Sequence, residues 1–351
     1  MIHNNKQRGF SIVELMVAML ISVLLLGGVL SVMYTSRITY DENTRIARLQ
    51  EYARSSIELM LRDLRSSGQH GCARPLDAGT FRNLLVTPTA VRYNFAVAVQ
   101  GYEGTVGPFA PAMPTGAATG IPNALAGNDV IAIRTVRSDI PPMRLAAPFA
   151  GGTGTLDVDR TNAPALPAGT PLLISDCEFA NVITNSAAVA SGASVLLARA
   201  TGPIAVPGSI QQPGNTTVPL PPYAAGTLIA AVETVTYYIR LNAAGEPALW
   251  RIVGNNPPQE LVEGVERLEL QYGEDTNGDQ LVDAYRNANA VGNWDNVLSV
   301  SIAMLLRSPD QSVDPSAGQT YDMLGTVVGP FADQRPRLLF TTTANVRNRT
   351  G

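Results

Sequence analysis

The sequence predicts an α+β protein, with one long N-terminal helix packed on a mainly antiparallel β-sheet domain with long loops. Three observations predict it. The chain opens on an apolar run, Phe10 to Tyr34, and no proline interrupts Phe10 to Arg65. From about residue 80 the texture changes to short β-like runs divided by Gly, Pro, Asn and Ser. Several of those runs alternate apolar and polar residues, as in Val235–Leu241 and Leu268–Tyr272, which suits half-buried strands.

The helix comes first. As a helix, Phe10 to Met33 rises about 36 Å, enough to span a bilayer core of about 30 Å. Glu14 is the only charged side chain in the run, and a carboxylate costs about 2.5–3.5 kcal/mol at a membrane centre. A secretory signal peptide would have a shorter apolar region and an A-x-A-like cleavage site, and Tyr34-Thr35-Ser36-Arg37 offers none. A plain signal anchor suits the length and the basic flank of Lys6 and Arg8, yet gives no reason for Glu14 or for Gly9 at the boundary. A cut after Gly9 supplies one. Phe10 then carries a new α-amino group one helical turn from Glu14. An ammonium near a carboxylate, within one chain or between packed copies, relieves the cost of burying either.

Beyond the run, Ile46, Leu49, Ala53, Ile57, Met60 and Leu64 recur at spacings of three and four, an apolar stripe that packs on the chain's own globular domain. Arginines on other faces are left for partners, and Asp41–Arg45 and Glu58–Arg62 have ion-pair spacing. Gly27-Gly28 is a soft spot, each glycine lowering helix propensity by about 1 kcal/mol. Ser66-Ser67-Gly68 offers the stop.

At its N-terminus the chain resembles the type IV prepilins. Gly9, Phe10 and Glu14 match that family's cleavage glycine, N-methylated first residue and acidic assembly position. Ser11 departs mildly, since threonine is frequent there in major pilins. The resemblance implies a pilin-like fold and cleavage by a prepilin peptidase. It further implies a helix that anchors in the inner membrane and later packs with other subunits in a filament core. The expected organisation is a leader over 1–9, a helix over 10–66 with its apolar half at 10–34, and a β-rich periplasmic domain over 67–351.

Composition narrows the chemistry. The net charge of the 351 residues is −4, and becomes −6 once Lys6 and Arg8 leave with the leader, so no nucleic-acid partner is expected. Lys6 is the only lysine, which removes the phosphate-loop, Schiff-base and kinase lysines together. His3 lies in the leader, so His70 is the only mature histidine, a poor supply for a catalytic triad or a histidine-rich zinc site. Cys72 and Cys177 are the only cysteines. Exported to an oxidising compartment, the pair is expected to be bonded, with two separate buried thiols as the alternative.

Strand-like runs follow at Val130–Arg134, Pro171–Ser175, Ser194–Ala198, Leu228–Leu241, Ala248–Val253, Val265–Tyr272, Val297–Leu306 and Arg337–Thr343. Asn242-Ala-Ala-Gly245 between two of them reads as a hairpin turn. Gly/Pro/Ala-rich stretches at about 101–127, 146–169 and 201–226 read as long loops. Between two strands, Asp275, Asn277, Asp279 and Asp283 offer side-chain oxygens at loop positions 1, 3, 5 and 9, and Leu281 a carbonyl at position 7, a spacing suited to calcium. Gln280 stands where EF-hand-like loops want glycine, and Arg286 where they want the bidentate glutamate. Those departures leave a weaker site, completed by Glu274, water or another loop. The alternative is a solvated Asn-Gly turn.

The length, Gly71-Cys72 after the helix, Ser175-Asp-Cys177, the acidic loop and the ending Thr341–Arg349 are similar to the PilW family of type IV pilus assembly proteins. This resemblance implies a minor pilin working with other minor pilins, the major pilin and a large tip adhesin. Together they would prime assembly from the inner membrane, with the subunit ending at the pilus tip on the cell surface. A J-type minor pseudopilin of type II secretion shares the leader and design but is usually shorter. A helix-anchored periplasmic enzyme is a different class, and no nucleophile motif such as G-x-S-x-G supports it.

Overall fold

The computed structural model describes residues 11–69, 80–105, 109–113, 121–159, 166–187, 195–202, 204, 214–309 and 318–346. The chain divides into two units, Met1–Glu51 and Tyr52–Gly351. One helix, α1, runs from Ile12 to Arg65. It passes through Gly27-Gly28 without a break, and a Cβ at either glycine would meet nothing within 4 Å.

The strands are β1 (Phe81–Asn83), β2 (Val99–Tyr102), β3 (Val130–Val136), β4 (Met143–Leu145), β5 (Leu156–Asp159) and β6 (Pro171–Ser175). Next come β7 (Ala180–Thr184), β8 (Val195–Leu197), β9 (Leu228–Leu241), β10 (Pro247–Val253), β11 (Gln259–Glu263) and β12 (Val265–Glu274). The last are β13 (Ala284–Arg286), β14 (Val297–Arg307), β15 (Tyr321–Met323), β16 (Thr326–Val328) and β17 (Arg337–Asn345). All eight expected runs form strands. The short ones, such as β1, β4 and β13, carry too few residues for alternation to reveal them.

Pairing is antiparallel apart from β1 with β7. The 14-residue β9 organises the larger sheet. Its first residues, Leu228–Ala231, lie between β6 and β4, and Val232–Leu241 pairs with β3 and β10. A strand shared this way belongs to two differently directed sets of neighbours, which curls the sheet. The expected turn closes β9 onto β10. Gly245 has φ +80°, and Asn242 Oδ1 accepts the Ala244 and Glu246 N–H groups. The second sheet has the order β13-β12-β14-β17.

Half-burial was expected for Val235–Leu241 and Leu268–Tyr272, and both are buried more completely. Tyr237 and Tyr238 point to opposite faces yet both are fully buried. Tyr238 packs with Val91, Tyr102, Val130 and Ile252. Tyr237 meets the last turns of α1, where its hydroxyl donates to Asp63 Oδ2 at 2.6 Å and Arg251 Nη2 donates to the same oxygen at 2.8 Å. Ala53, Ile57, Met60 and Leu64 of the predicted stripe are buried. Ion pairs link Glu42 with Arg45 and Arg54 with Glu58, so Arg45 and Glu58 pair with partners other than Asp41 and Arg62.

β15 and β16 form a third, two-stranded sheet, and the two larger sheets are stapled by the segment entering β3. Asp129 N donates to Leu268 O, and Asn128 Oδ1 and Asp129 Oδ2 accept from Leu268 N and Leu270 N at 2.9 and 2.7 Å. Arg267 Nη1 donates to Gly127 O at 2.6 Å. Gly127 holds φ +74°, and a Cβ there would lie 2.5 Å from that guanidinium.

Candidate functional site

The start of α1 is a capping box. Ser11 Oγ accepts from Val13 N at 3.3 Å, and Glu14 Oε2 accepts from Ser11 N at 3.0 Å. Four N–H groups at a helix start lack intrahelical partners, and this pairing satisfies two of them reciprocally. Glu14 therefore has a local partner beyond any amine. Gly9 and Phe10 lie outside the described residues. Downstream, Ile12 is 79% and Leu24 69% exposed, as are the other apolar side chains to Met33. Hydroxyls in and just after the run turn back on the helix: Ser22 donates to Ala18 O at 2.7 Å and Thr35 to Ser31 O at 3.0 Å. Polar groups satisfied within the helix suit an apolar surrounding, and the length and composition suit a membrane span.

The acidic loop closes on its own backbone. Asp275 is buried and accepts from Asn277 N, Gly278 N and Gln280 N at 3.2, 2.6 and 2.9 Å. Thr276 N and Oγ1 both donate to Asp283 Oδ2 at 2.7 Å, and Leu281 N donates to Asp279 Oδ1 at 2.8 Å. Gln280 takes φ +65°, the left-handed conformation for which glycine is favoured there. Arg286, in place of the bidentate glutamate, pairs with Glu274 at 3.1 Å, and Glu274 Oε1 accepts from Asn293 N. Cys177 sits in the tight β6–β7 connection with φ +75° and is not a free thiol. Cys72 lies outside the described residues, so pairing of Cys72 with Cys177 stays an expectation.

Among the described residues, the one place where three acidic side chains bring oxygens within 4.8 Å of one another is elsewhere, at Glu103, Asp129 and Glu269. The sheet staple positions it. Asp129 Oδ1 accepts from Gly104 N at 2.8 Å while Oδ2 holds β12, and Glu103 Oε1 accepts from Asn287 Nδ2 at 3.1 Å. Burial first, then the charges of Glu269 and Glu103, push the Asp129 carboxyl up to about 8. Burial and then Glu103 raise Glu269 to about 7, with Arg267 opposing. Sequence reading missed this cluster because its members lie far apart. The one available signal was Glu269, an acidic residue inside a run otherwise rich in core residues.

The long exposed helix and the β-rich domain fit a membrane-anchored, pilin-like layout. Residues 4–30 match the prokaryotic N-terminal methylation motif, which sets Glu14 within a prepilin-type start. Residues 236–348, from within β9 to just past β17, match the type IV pilus-assembly protein W family. Over these two stretches the chain is similar to the type IV pilus-assembly proteins of the W family, with a prepilin-type methylation motif at its start. No curated protein and no solved structure matches it.

Proposed function

We propose that this chain is a minor pilin that primes type IV pilus assembly with other minor pilins and ends at the pilus tip beside a large adhesin. In this reading a prepilin peptidase cuts between Gly9 and Phe10, and Phe10 is N-methylated. The helix first holds the subunit in the inner membrane with its domain in the periplasm, then packs against the major pilin and other subunits. The observation that carries the reading is a capped, apolar, solvent-facing helix start joined on one chain to a W-family region. The scarcity of lysine and histidine supports a structural subunit over an enzyme. Cys72 and Cys177 form a disulfide in this reading, and closing a loop of about 100 residues stabilises by roughly 4–5 kcal/mol. The 275–283 loop is kept as a weak calcium site.

Deleting the gene and scoring surface pili and secretion together tests the proposal. Lost pili with normal secretion is the expected result. Normal pili with lost secretion would assign the chain to the type II pseudopilins.

A further inference from the structure

We propose that Glu103, Asp129 and Glu269 form a calcium site between the two sheets, distinct from the 275–283 loop. The donor set is oxygen only and carries up to three negative charges, which suits a hard cation. Oxygens within 4.8 Å of one another match the span that one ion bridges with bonds of about 2.3–2.6 Å. Magnesium demands shorter bonds, about 2.0–2.1 Å, in near-ideal octahedral geometry, and fits less well.

A second observation points to a ligand. Tyr272 is fully buried, and its hydroxyl has no hydrogen-bond partner. That hydroxyl reaches β2 at Gly101, two residues before Glu103, where a Cβ would lie only 2.0 Å away. Burial first, then the charges of Asp129 and Glu103, oppose its ionisation. Glu103 Oε2 is likewise buried without a partner. Burying such groups unpaired is costly, more so when charged, and a cation among them removes much of that cost. The site therefore joins the residue just after β2, the entry to β3 and β12, so its filling ties the smaller sheet to the larger one.

The test uses the full chain in detergent, stripped with chelator and titrated with calcium chloride by calorimetry. Glu103→Gln and Glu269→Gln are expected to weaken calcium binding by about tenfold or more. Asp279→Asn and Asp283→Asn are expected to remove only the loop's own weak uptake and to leave in place the binding that the glutamine variants weaken. Tyr272→Phe, which keeps the ring, is expected to weaken binding severalfold and to lower tyrosine-sensitised terbium emission. Asp129 is left intact because it holds the backbone N–H groups of Gly104, just after β2, and of Leu270 in β12. Melting curves without calcium establish that each variant is folded. Binding lost only with the loop variants, or no uptake at millimolar calcium, would overturn the proposal. Uptake unchanged in both glutamine variants would do the same.

Discussion

The two units reverse the usual rule of apolar inside and polar outside in opposite ways. The first exposes an apolar helical run with Glu14 as its one charged residue, while the second packs the buried Asp129 and Glu269 against the half-buried Glu103. Each arrangement is unfavourable in water alone, since burial of apolar area and hydration of charge are both forfeited. The comparison teaches where to look for what is supplied from outside. A helix of this kind calls for lipid or neighbouring helices, and a carboxylate cluster calls for protons or a cation.

The sharpest way to break the comparison is one substitution made in each unit. Leu64→Ala removes a fully buried side chain and is expected to destabilise the domain by about 2–5 kcal/mol. Leu24→Ala, at a 69% exposed position, is expected to leave the domain's melting temperature unchanged. Equal losses would mean that the apolar half of the helix contributes to the domain's folding.

A similar loss, about 3–5 kcal/mol, is expected for Asp63→Ala, which strands Arg251 and the Tyr237 hydroxyl in a mostly buried site. Denaturant unfolding measures it, and Tyr237→Phe in the same background should cost little more, because the pair acts together.

The acid limb gives a smaller effect. The hydrogen bond from Arg337 holds the Asp333 carboxyl down at about 2, below the unfolded value of about 3.9. A depressed folded pKa stabilises above the unfolded value, and that stabilisation is lost as pH falls through about 4 towards 2. Asp333→Asn should flatten melting temperature against pH over that window. An unchanged acid limb would remove Asp333 from the account.

The smallest effects lie at the helix start. Ser11→Ala is expected to weaken the cap by about 1 kcal/mol, read as roughly fivefold faster amide exchange at Val13. Glu14→Ala removes the other half of the capping box. It is expected to spare membrane insertion and to reduce surface pili well beyond Ser11→Ala. Equal piliation in both variants would leave Glu14 with a capping role alone.

Much of the fold was legible because local pattern carries it. The apolar run and the 53-57-60-64 stripe announce α1, and Leu228–Leu241 and Pro171–Ser175 coincide with β9 and β6. Of the three-residue strands, β8 was read in Ser194–Ala198, while β1, β4 and β13 escaped notice, since their pairing comes from neighbours and not from their own alternation. In the acidic loop the residues were legible, but their engagement by the loop's own N–H groups was not. The position of Arg286 beside Glu274 was equally hidden.

By itself the sequence determined the prepilin-type start, the length and apolarity of the helix, the long strands and the scarcity of catalytic side chains. These depend on residues adjacent in the chain, where period and composition act directly. Only the tertiary structure decided which acids meet. Glu103, Asp129 and Glu269 converge because Asn128 and Asp129 bond β12 with their side chains, and pairing between distant strands leaves no mark in local pattern.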